Sequence, residues 1–536
     1  MATYDAIFVG SGINSLVGAS VLARAGWKVC VLERNSWFGG NIRTAEITEP
    51  GFRHDLFSGW HPLFTGSEAY ALLKNDLHSR GLEYLNTEYP TASLFPDGSA
   101  AFLSTSHEKN REHFESLTTG DGAAWDDVVS SFGSKADIAF GLLGTELWSR
   151  DGLRLVLKAL RRFRTRGTLE FTSELLSSSR DWLTGSFSSE RIHGLFAPWV
   201  LHTGLGPDQA GSGFMNKLIA FALQMGGMPV PKGGGARLAD SLVQLIRDLG
   251  GECHCDMHVN RVVVNAGKAV GVRTKDAEFQ ARRAVLCCVT PQQLYLELLD
   301  RAVVPDWVVK SSGRFRYGRG DMQIHLALSE PPRWPSGDER FLKTAMIHVA
   351  AGLNGVSRAV NEAERGLLPV DPTVVVGQPT AVDPSRAPAG RWIFWIQLQE
   401  LPTHPIGDAA GSLEATAGTW TEKLREEFAD RAIGKLTKQI PNLESAIRKR
   451  VVLSPADLAA SNINLVGGDP YAGSCAPSQF FILRPLAGLP HHRTPIDKLY
   501  HIGASTHPGP GLHGASGLMV VKQILGNRKV RQLFKS

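Results

Sequence analysis

Apolar and polar residues at the start of the chain follow first a strand pattern and then a helical one. Residues 4–9 form a compact apolar run of strand length that ends at Gly10. Apolar residues then recur at helical spacing up to Gly26, and a second short apolar run covers residues 28–32. This order of periods predicts a β-α-β unit at the N-terminus.

The turn between the first strand and the helix has the glycine spacing of a dinucleotide-binding site. Gly10 permits the sharp turn, and Gly12 lets the backbone approach a pyrophosphate because it has no Cβ. Ser15 stands where a third glycine is usual and is small enough for the helix to pack closely on the strand. The free N–H groups at the helix N-terminus are suited to bind the phosphates.

Glu33 follows the second strand and lies 21 residues after Gly12. An acidic residue at this distance accepts hydrogen bonds from ribose hydroxyls and repels a 2′-phosphate, so the pattern disfavours NADP. The alternative is a glycine-rich turn in an unrelated α/β protein. Because strand, helix, second strand and acid all stand in register, we predict a dinucleotide site.

The same patterning predicts elements in the middle and at the end of the chain. An amphipathic helix is expected at residues 237–249, and a C-terminal helix begins near residue 513. The predicted strands are 259–264, 270–273, 283–288, 321–328, 392–398 and 498–503.

Length and composition limit the classes of protein that the chain can represent. Its 536 residues predict two connected domains, and 43% hydrophobic with 20% charged residues is typical of a globular protein. The net charge of +5 comes without a nucleic-acid-binding motif, so we expect no nucleic-acid partner. Six cysteines form no Cys-x-x-Cys pair, which argues against a disulfide oxidoreductase and against a metal site. We find no signal peptide or membrane-spanning run and expect a cytoplasmic protein.

Two glycine-rich segments carry a resemblance to a known family. Residues 33–44 read Glu-Arg-Asn-Ser-Trp-Phe-Gly-Gly-Asn-Ile-Arg-Thr and resemble the extended fingerprint of the glutathione-reductase-like FAD superfamily. Residues 503–511 are similar to the G-x-x-T-H-P-G-x-G segment that lies against the flavin in phytoene-desaturase-like proteins. The chain therefore resembles the phytoene-desaturase-like FAD oxidoreductases, which share a superfamily with the amine oxidases.

The resemblance implies a set of FAD-binding residues. In this family the residue at Val259 contacts the adenine end through its backbone, and the C-terminal helix directs its N-terminus at the flavin. Arg43 is suited to reach phosphate or flavin from the Gly-Gly loop. The expected FAD-binding residues are Gly10, Gly12, Ser15, Glu33, Arg34, Gly39, Gly40, Arg43, Val259, Gly503, His507 and Gly514.

The implied fold is α/β, with a Rossmann-type, glutathione-reductase-like FAD-binding domain and a discontinuous α+β substrate domain. We expect the FAD-binding domain to comprise residues 1–90, 227–300 and 490–536. The substrate-binding domain would comprise 100–225 and 305–485. Within it, residues 153–162 combine helical apolar spacing with basic residues, which suits either peripheral contact with an anionic membrane or an ordinary solvated helix.

The reaction that the resemblance implies is removal of a hydride from a C–H bond of a hydrophobic small molecule, with oxygen or a quinone as electron acceptor. His54, His61 and His507 are candidate bases, and each could instead be a structural, hydrogen-bonding residue. Cys475 lies 28 residues before Gly503, where some amine oxidases attach FAD, but its neighbours match that motif loosely, so we expect non-covalent FAD. Alternative functions are amine oxidation, flavin-assisted polyene isomerisation and a non-catalytic lipid escort resembling the Rab GDP-dissociation inhibitors.

Overall fold

The structure, a computed structural model, describes residues 2–415, 418–490 and 492–534. Three of the predicted domain segments each include one to three residues outside the described ones, namely 1–90, 305–485 and 490–536. The strands are β1 (Ala2–Val9), β2 (Val29–Leu32), β3 (Thr44–Ala45), β4 (His54–Asp55), β5 (Tyr84–Leu85), β6 (Tyr89–Leu94), β7 (Ala100–Leu103), β8 (Val230–Pro231), β9 (Glu252–His254), β10 (Val259–Asn265), β11 (Lys268–Thr274), β12 (Glu278–Cys288), β13 (Gly320–Leu328), β14 (Thr344–Val349), β15 (Leu367–Leu368), β16 (Val374–Gly377), β17 (Trp392–Leu401), β18 (Gly407–Asp408), β19 (Ile447–Leu453) and β20 (Leu499–Ile502).

The helices lie between and around these strands. They are α1 (Ile13–Arg24), α2 (Pro62–Thr65), α3 (Glu68–His78), α4 (His107–Leu117), α5 (Asp121–Gly133), α6 (Ala136–Gly144), α7 (Arg150–Leu176), α8 (Ser179–Ser186), α9 (Glu190–Phe196), α10 (Ser212–Gly226), α11 (Ala236–Asp248), α12 (Asp306–Gly313), α13 (Gly352–Glu364), α14 (Pro379–Val382), α15 (Glu422–Thr437), α16 (Leu443–Ala446), α17 (Pro455–Ser461), α18 (Ala515–Leu525) and α19 (Asn527–Gln532). The predicted helix at 237–249 and the strands of the first sheet fall within one to five residues of these bounds.

The first sheet has seven strands in the order β10-β11-β12-β1-β2-β9, with β20 paired to β12. Strand β1 lies between β2 and β12 and is parallel to both. Its apolar run is buried in the middle of the sheet. Helix α1 packs between α11 and α18 on one face of this sheet. Strands from three distant parts of the chain thereby end at one edge, where parallel strands of α/β folds bind nucleotides.

The close contact of α1 with α18 brings the two ends of the chain together. Gly517 of α18 packs so tightly on α1 that a Cβ would lie 1.8 Å from the carbonyl oxygen of Asn14. Only glycine fits at such a backbone-to-backbone approach. The N-terminal and C-terminal glycine-rich segments therefore border the same space.

The second sheet also has seven strands, in the order β19-β13-β17-β16-β14-β6-β7. One face packs on α15 through residues such as Phe394 and Phe428, which are fully buried. On the other face Trp395 packs towards the helical segment from α4 to α10, in a cluster that includes Trp125 and Phe196. Because side chains alternate along a strand, β17 contributes to both layers. The domain boundaries predicted from the sequence stay a prediction.

Candidate functional site

A cavity of about 1090 Å³ extends from the glycine-rich turn after β1 to the space between the second sheet and the helical segment. Its walls include Gly10 and Glu33 from the first sheet, Gln397 from the second sheet, and Phe221 from α10. The candidate cofactor site and the candidate substrate site are therefore two ends of one continuous space.

Ser11 organises the nucleotide end of the cavity. The Glu33 carboxylate accepts hydrogen bonds from the Ser11 backbone N–H (2.9 Å) and from Ser11 Oγ (2.7 Å). Its other oxygen accepts from the backbone N–H of Asn35 at 2.9 Å. Ser11 Oγ in turn accepts from the N–H of Gly39 at 3.1 Å. The acid is thus held at the end of β2 by three direct hydrogen bonds, and a fourth ties Ser11 to the second glycine loop. Glu33 also lies at the cavity wall.

The two glycine pairs pack directly on each other. A Cβ on Gly40 would lie 3.4 Å from the Cα of Gly12, and a Cβ on Gly39 would lie 2.7 Å from the carbonyl oxygen of Ile42. Backbone atoms of Gly10 and Gly12 consequently form this part of the wall. Gly12 is also the N-cap of α1 and provides no side-chain hydrogen bond, so it leaves N–H groups of the first turn available to a phosphate.

The C-terminal segment forms the adjoining wall. Gly503 has a φ of +109°, and a Cβ there would lie 3.0 Å from Cys288 Sγ. Its N–H donates to Ser516 Oγ of α18 at 2.9 Å. Gly503 and Ala515 line the cavity, and Gly514 is the N-cap of α18, with φ +69°. The positive end of the helix dipole is therefore directed at the cavity, where it stabilises negative charge.

These features together fit an FAD molecule. Two helix N-termini face one elongated space, the glycines leave room where side chains would intrude, and Glu33 presents an acid for ribose. Arg34 and Val259 also line the cavity, and their contact with the cofactor stays a prediction.

Other predicted cofactor residues lie elsewhere. Ser15 is fully buried beneath the loop. The Arg43 guanidinium lies 4.0 Å above the ring of Trp37. Among the described residues that line the cavity, Ser15, Arg43, His507 and Gly514 are not found. A direct contact of these four residues with a cofactor stays a prediction.

The three histidines considered as bases are buried and bonded within the protein. His61 Nδ1 pairs with Tyr84 Oη at 2.9 Å, and burial lowers the pKa of this histidine to about 4. His54 Nε2 pairs with the hydroxyl of Thr48, and burial lowers its pKa to about 2. His507 Nε2 lies 2.9 Å from the carbonyl oxygen of Thr145, and burial lowers its pKa to about 4. Within the described chain, none of the three lines the cavity, so the geometry favours their structural role.

The substrate end of the cavity is mainly apolar. Its wall draws on α2, α6, α10 and the second sheet, and aromatic and methionine side chains are prominent in it. The apolar lining residues are Phe57, Trp60, Leu63, Phe140, Leu143, Trp199, Met215, Leu218, Ile219, Phe221, Met225, Met346, Trp395 and Phe480. Such a wall suits a hydrophobic ligand.

One polar cluster interrupts this apolar wall. Asp321 of β13 accepts hydrogen bonds from Gln323 Nε2 at 3.2 Å and from Gln397 Nε2 at 2.6 Å, both at the same carboxylate oxygen. Beside it, Gln399 Nε2 donates to Tyr471 Oη at 2.8 Å. Burial raises the pKa of Asp321 to about 8 although the two amides oppose the shift.

Sequence reasoning did not identify this cluster. Its signal was present as polar residues at alternate positions, Asp321 with Gln323 and Gln397 with Gln399, in two strands that are mostly apolar. A polar residue at every second position of a buried strand indicates a shared face that meets something other than core.

Comparisons with known proteins agree with this geometry. The profile of the family described as "Flavin containing amine oxidoreductase" matches residues 16–525. "Pyridine nucleotide-disulfide oxidoreductase domain-containing protein 2" of Mus musculus is 25% identical, over 96% of this chain and 92% of its own length. "Phytoene desaturase (neurosporene-forming)" of Rhodobacter capsulatus is 23% identical, over 97% of this chain and 93% of its own.

A solved structure of putrescine oxidase bound to putrescine has the same fold. It superposes with a TM-score of 0.58 at 16% identity and covers 100% of this chain and 99% of its own. Together these matches confirm the resemblance inferred from the two glycine-rich segments, and the fold class with it.

Proposed function

Because the chain belongs to the family of flavin containing amine oxidoreductases, we propose that it removes a hydride from a C–H bond of a largely apolar small molecule and transfers it to FAD. It is an FAD-dependent oxidoreductase, as its sequence predicted, so the lipid-escort alternative is set aside. The observation that supports the substrate class is the single cavity, which joins the glycine loops to an apolar compartment.

The chain's own residues position and shield this reaction. Gly12 and Gly503 leave space for the cofactor, and Glu33 holds its ribose end. Trp199 and Trp395 enclose the substrate end and exclude water from it. The Asp321 carboxyl, at the polar cluster, is a group on this wall that can exchange a proton near neutral pH.

The test is anaerobic mixing of the FAD-loaded protein with a panel of terpenoid hydrocarbons, terpenoid alcohols and aliphatic amines. Loss of the oxidised flavin absorption band identifies a substrate, and product mass identifies the reaction. Desaturation removes two hydrogen atoms, whereas isomerisation leaves the mass unchanged.

Amine oxidation is the second candidate, because the buried Asp321 carboxyl could pair with a substrate ammonium. A panel in which no compound alters the flavin spectrum or its own mass would contradict the proposal. Once a substrate has reduced the flavin, reoxidation of the flavin by air or by a quinone distinguishes the two proposed electron acceptors.

We also propose that the FAD is held without a covalent bond. Cys475 is buried and is absent from the described lining of the cavity, and its Sγ contacts the carbonyl oxygen of Gly473. Burial raises the pKa of its thiol to about 12, so the nucleophilic thiolate is scarce. Acid precipitation should release the flavin into the supernatant. Flavin that stays with the pellet would instead indicate attachment.

We further propose peripheral contact with an anionic membrane through α7. Leu153, Val156, Leu157 and Leu160 are between 40% and 59% exposed, and seven basic residues but one acidic residue occur between positions 150 and 166. Helix α7 packs on α6, which lines the cavity with the half-exposed Phe140. In the described chain no helix has the length and apolar character needed to span a bilayer, which leaves surface contact as the mode to test. The cytoplasmic location stays a prediction.

Cosedimentation with vesicles tests this contact. The protein should sediment with phosphatidylglycerol vesicles more than with phosphatidylcholine vesicles, and the double variant Leu153→Ser/Leu160→Ser should lose this binding. Leu169→Ser is the matched control, because Leu169 is exposed on the same helix beyond the kink at Arg164. Equal sedimentation of all three proteins would contradict the proposal.

A further inference from the structure

The polar cluster around Asp321 has features that a purely apolar substrate would leave unused. Asp321, Gln323 and Gln399 are 2%, 2% and 4% exposed, yet each has one side-chain oxygen without a hydrogen-bond partner in the described structure. All three residues line the cavity. A buried acceptor without a donor is unfavourable, so a ligand group that donates hydrogen bonds would be favoured at this position.

The sheet brings these oxygens to one place. Strands β13 and β17 are antiparallel, with Gln323 directly opposite Gln397. The register shifts between Gly320 and Met322, and Met322 pairs with Leu398, which sets Asp321 beside Gln399 on the cavity face. The cluster is therefore a compact group on two neighbouring strands.

The hydrogen bonds determine which atom each side chain presents. Both amide donors reach Oδ2 of Asp321, so Oδ1 is the oxygen left for a ligand. Tyr471 Oη donates to the carbonyl oxygen of Leu201 at 2.6 Å and accepts from Gln399 Nε2, so the amide oxygen of Gln399 is also left over. Because the amide nitrogens are engaged, turning the amides would break existing bonds.

We infer that Asp321, Gln323 and Gln399 bind a hydrogen-bond-donating head group, a hydroxyl or a protonated amine, at one end of an otherwise apolar substrate. This inference rests on the proposed function and narrows its substrate class from largely apolar small molecules to those with a hydrogen-bond-donating head group. A hydroxyl can donate to a glutamine oxygen while it accepts from a protonated Asp321. An ammonium can donate to all three oxygens and pair with an ionised Asp321.

Calorimetric titration of the FAD-loaded protein with three probes of equal chain length tests the site. The probes are octan-1-ol, octylamine and octyl methyl ether, of which the ether has an oxygen but no donor. Octanol or octylamine should bind at least ten-fold more tightly than the ether. In Asp321→Leu all three affinities should agree within about three-fold, because the favourable polar contact is worth about one factor of ten.

Two further variants separate the head groups and guard against misfolding. Asp321→Asn keeps the shape of the side chain but cannot ionise. If the head group is an ammonium, this variant should bind octylamine at least ten-fold more weakly than the wild type does. If the head group is a hydroxyl, its affinity for octanol should stay within three-fold of that of the wild type. Gln399→Leu leaves Asp321 in place and should reduce the preference over the ether. Glu400→Gln is the matched control, since Glu400 is a buried carboxyl of β17, next to Gln399, that bonds Thr373 instead.

Equal affinities of the wild type for all three probes would overturn the inference while leaving the proposed oxidoreductase function intact. A preference that survives in both Asp321→Leu and Gln399→Leu would also overturn it, because the head group would then bind elsewhere. Binding of none of the probes would overturn it together with the proposed apolar substrate site. A protein that cannot be loaded with FAD would contradict the proposed function itself.

Discussion

The two ends of the cavity are built in different ways. At the nucleotide end, backbone atoms of glycines form the wall, and Glu33 is fixed by bonds to residues close to it in sequence or in the adjoining loop. At the substrate end, side chains of the second sheet form the wall, and Asp321 meets Gln397 only because two strands pair across 76 positions. We therefore expect added side-chain volume to disrupt the nucleotide end. At the substrate end we expect a few polar side-chain atoms to determine which ligands bind.

The nucleotide end should be the more sensitive to added volume. In Gly39→Ala the new Cβ would lie 2.7 Å from the carbonyl oxygen of Ile42 and would require a φ of +108°. Strain and overpacking together should destabilise the protein by roughly 2–5 kcal/mol and prevent FAD binding. Urea unfolding and the flavin content of the purified protein measure the two effects.

Gly26→Ala is the control for that variant. Gly26 also has a positive φ, of +82°, but apart from Gly26 and its chain neighbours no atom of the described structure lies within 4 Å of its Cβ position. The cost should therefore be only that of the left-handed backbone, about 1–2 kcal/mol, with full flavin content. If Gly39→Ala and Gly26→Ala lose the same stability and retain the same flavin content, close packing of the glycine loops is not what shapes the cofactor site.

Loss of the acid should have the next largest effect. Glu33→Ala removes a charged partner for ribose and leaves the donors of Ser11 and Asn35 without an acceptor. We expect FAD to bind more weakly by roughly 1.5–3 kcal/mol, which is about 10- to 150-fold. Equilibrium titration of the apoprotein with FAD measures it. Glu33→Gln should be intermediate because it keeps one acceptor, and an alanine variant that purifies with full flavin would refute the assignment.

The contrast between the two ends also explains how far the sequence could predict them. Gly10, Gly12 and Glu33 could be predicted as cofactor residues because such roles depend on local spacing within one β-α-β unit, and in the structure all three line the cavity. The bonding role of Ser11 was missed, since it depends on the second glycine loop packing on the first. The polar surroundings of Asp321 could not be predicted, because they come from strand pairing over a long separation, which local spacing does not encode. The candidate histidines lie close to the motifs in sequence. In the structure they are buried and hydrogen-bonded to other groups of the protein.

The substrate end should differ from the nucleotide end in its response to pH. Burial raises the pKa of Asp321 to about 8, from about 3.9 in an unfolded chain. The folded state therefore favours the neutral acid, so this group's contribution to stability is present below about pH 4 and is lost as pH rises towards 8. Asp469, whose pKa burial also raises, remains in both proteins when the wild type is compared with Asp321→Asn.

Urea unfolding of these two proteins at pH 5 and pH 8 measures the contribution of Asp321. The wild type should lose more stability than Asp321→Asn over this interval. An identical pH dependence in both proteins would mean that the carboxyl is hydrated or paired and is not held neutral at the cavity wall.

The smallest expected effect distinguishes a direct cofactor contact from a packing role. The Arg43 guanidinium stacks on Trp37 at 4.0 Å, whereas the sequence suggested that it reaches phosphate or flavin. Arg43→Gln should therefore destabilise the protein by about 0.5–1 kcal/mol through the lost cation–π contact, with the FAD dissociation constant changed less than two-fold. Trp37→Leu should destabilise the protein more, because it removes the other partner of this contact and also the hydrogen bond that Trp37 Nε1 donates to the carbonyl oxygen of Gly40 at 3.2 Å. If Arg43→Gln weakens FAD ten-fold while Trp37→Leu does not, Arg43 turns from Trp37 to the cofactor, and the nucleotide end then depends on a charged side chain as well as on its glycine backbone.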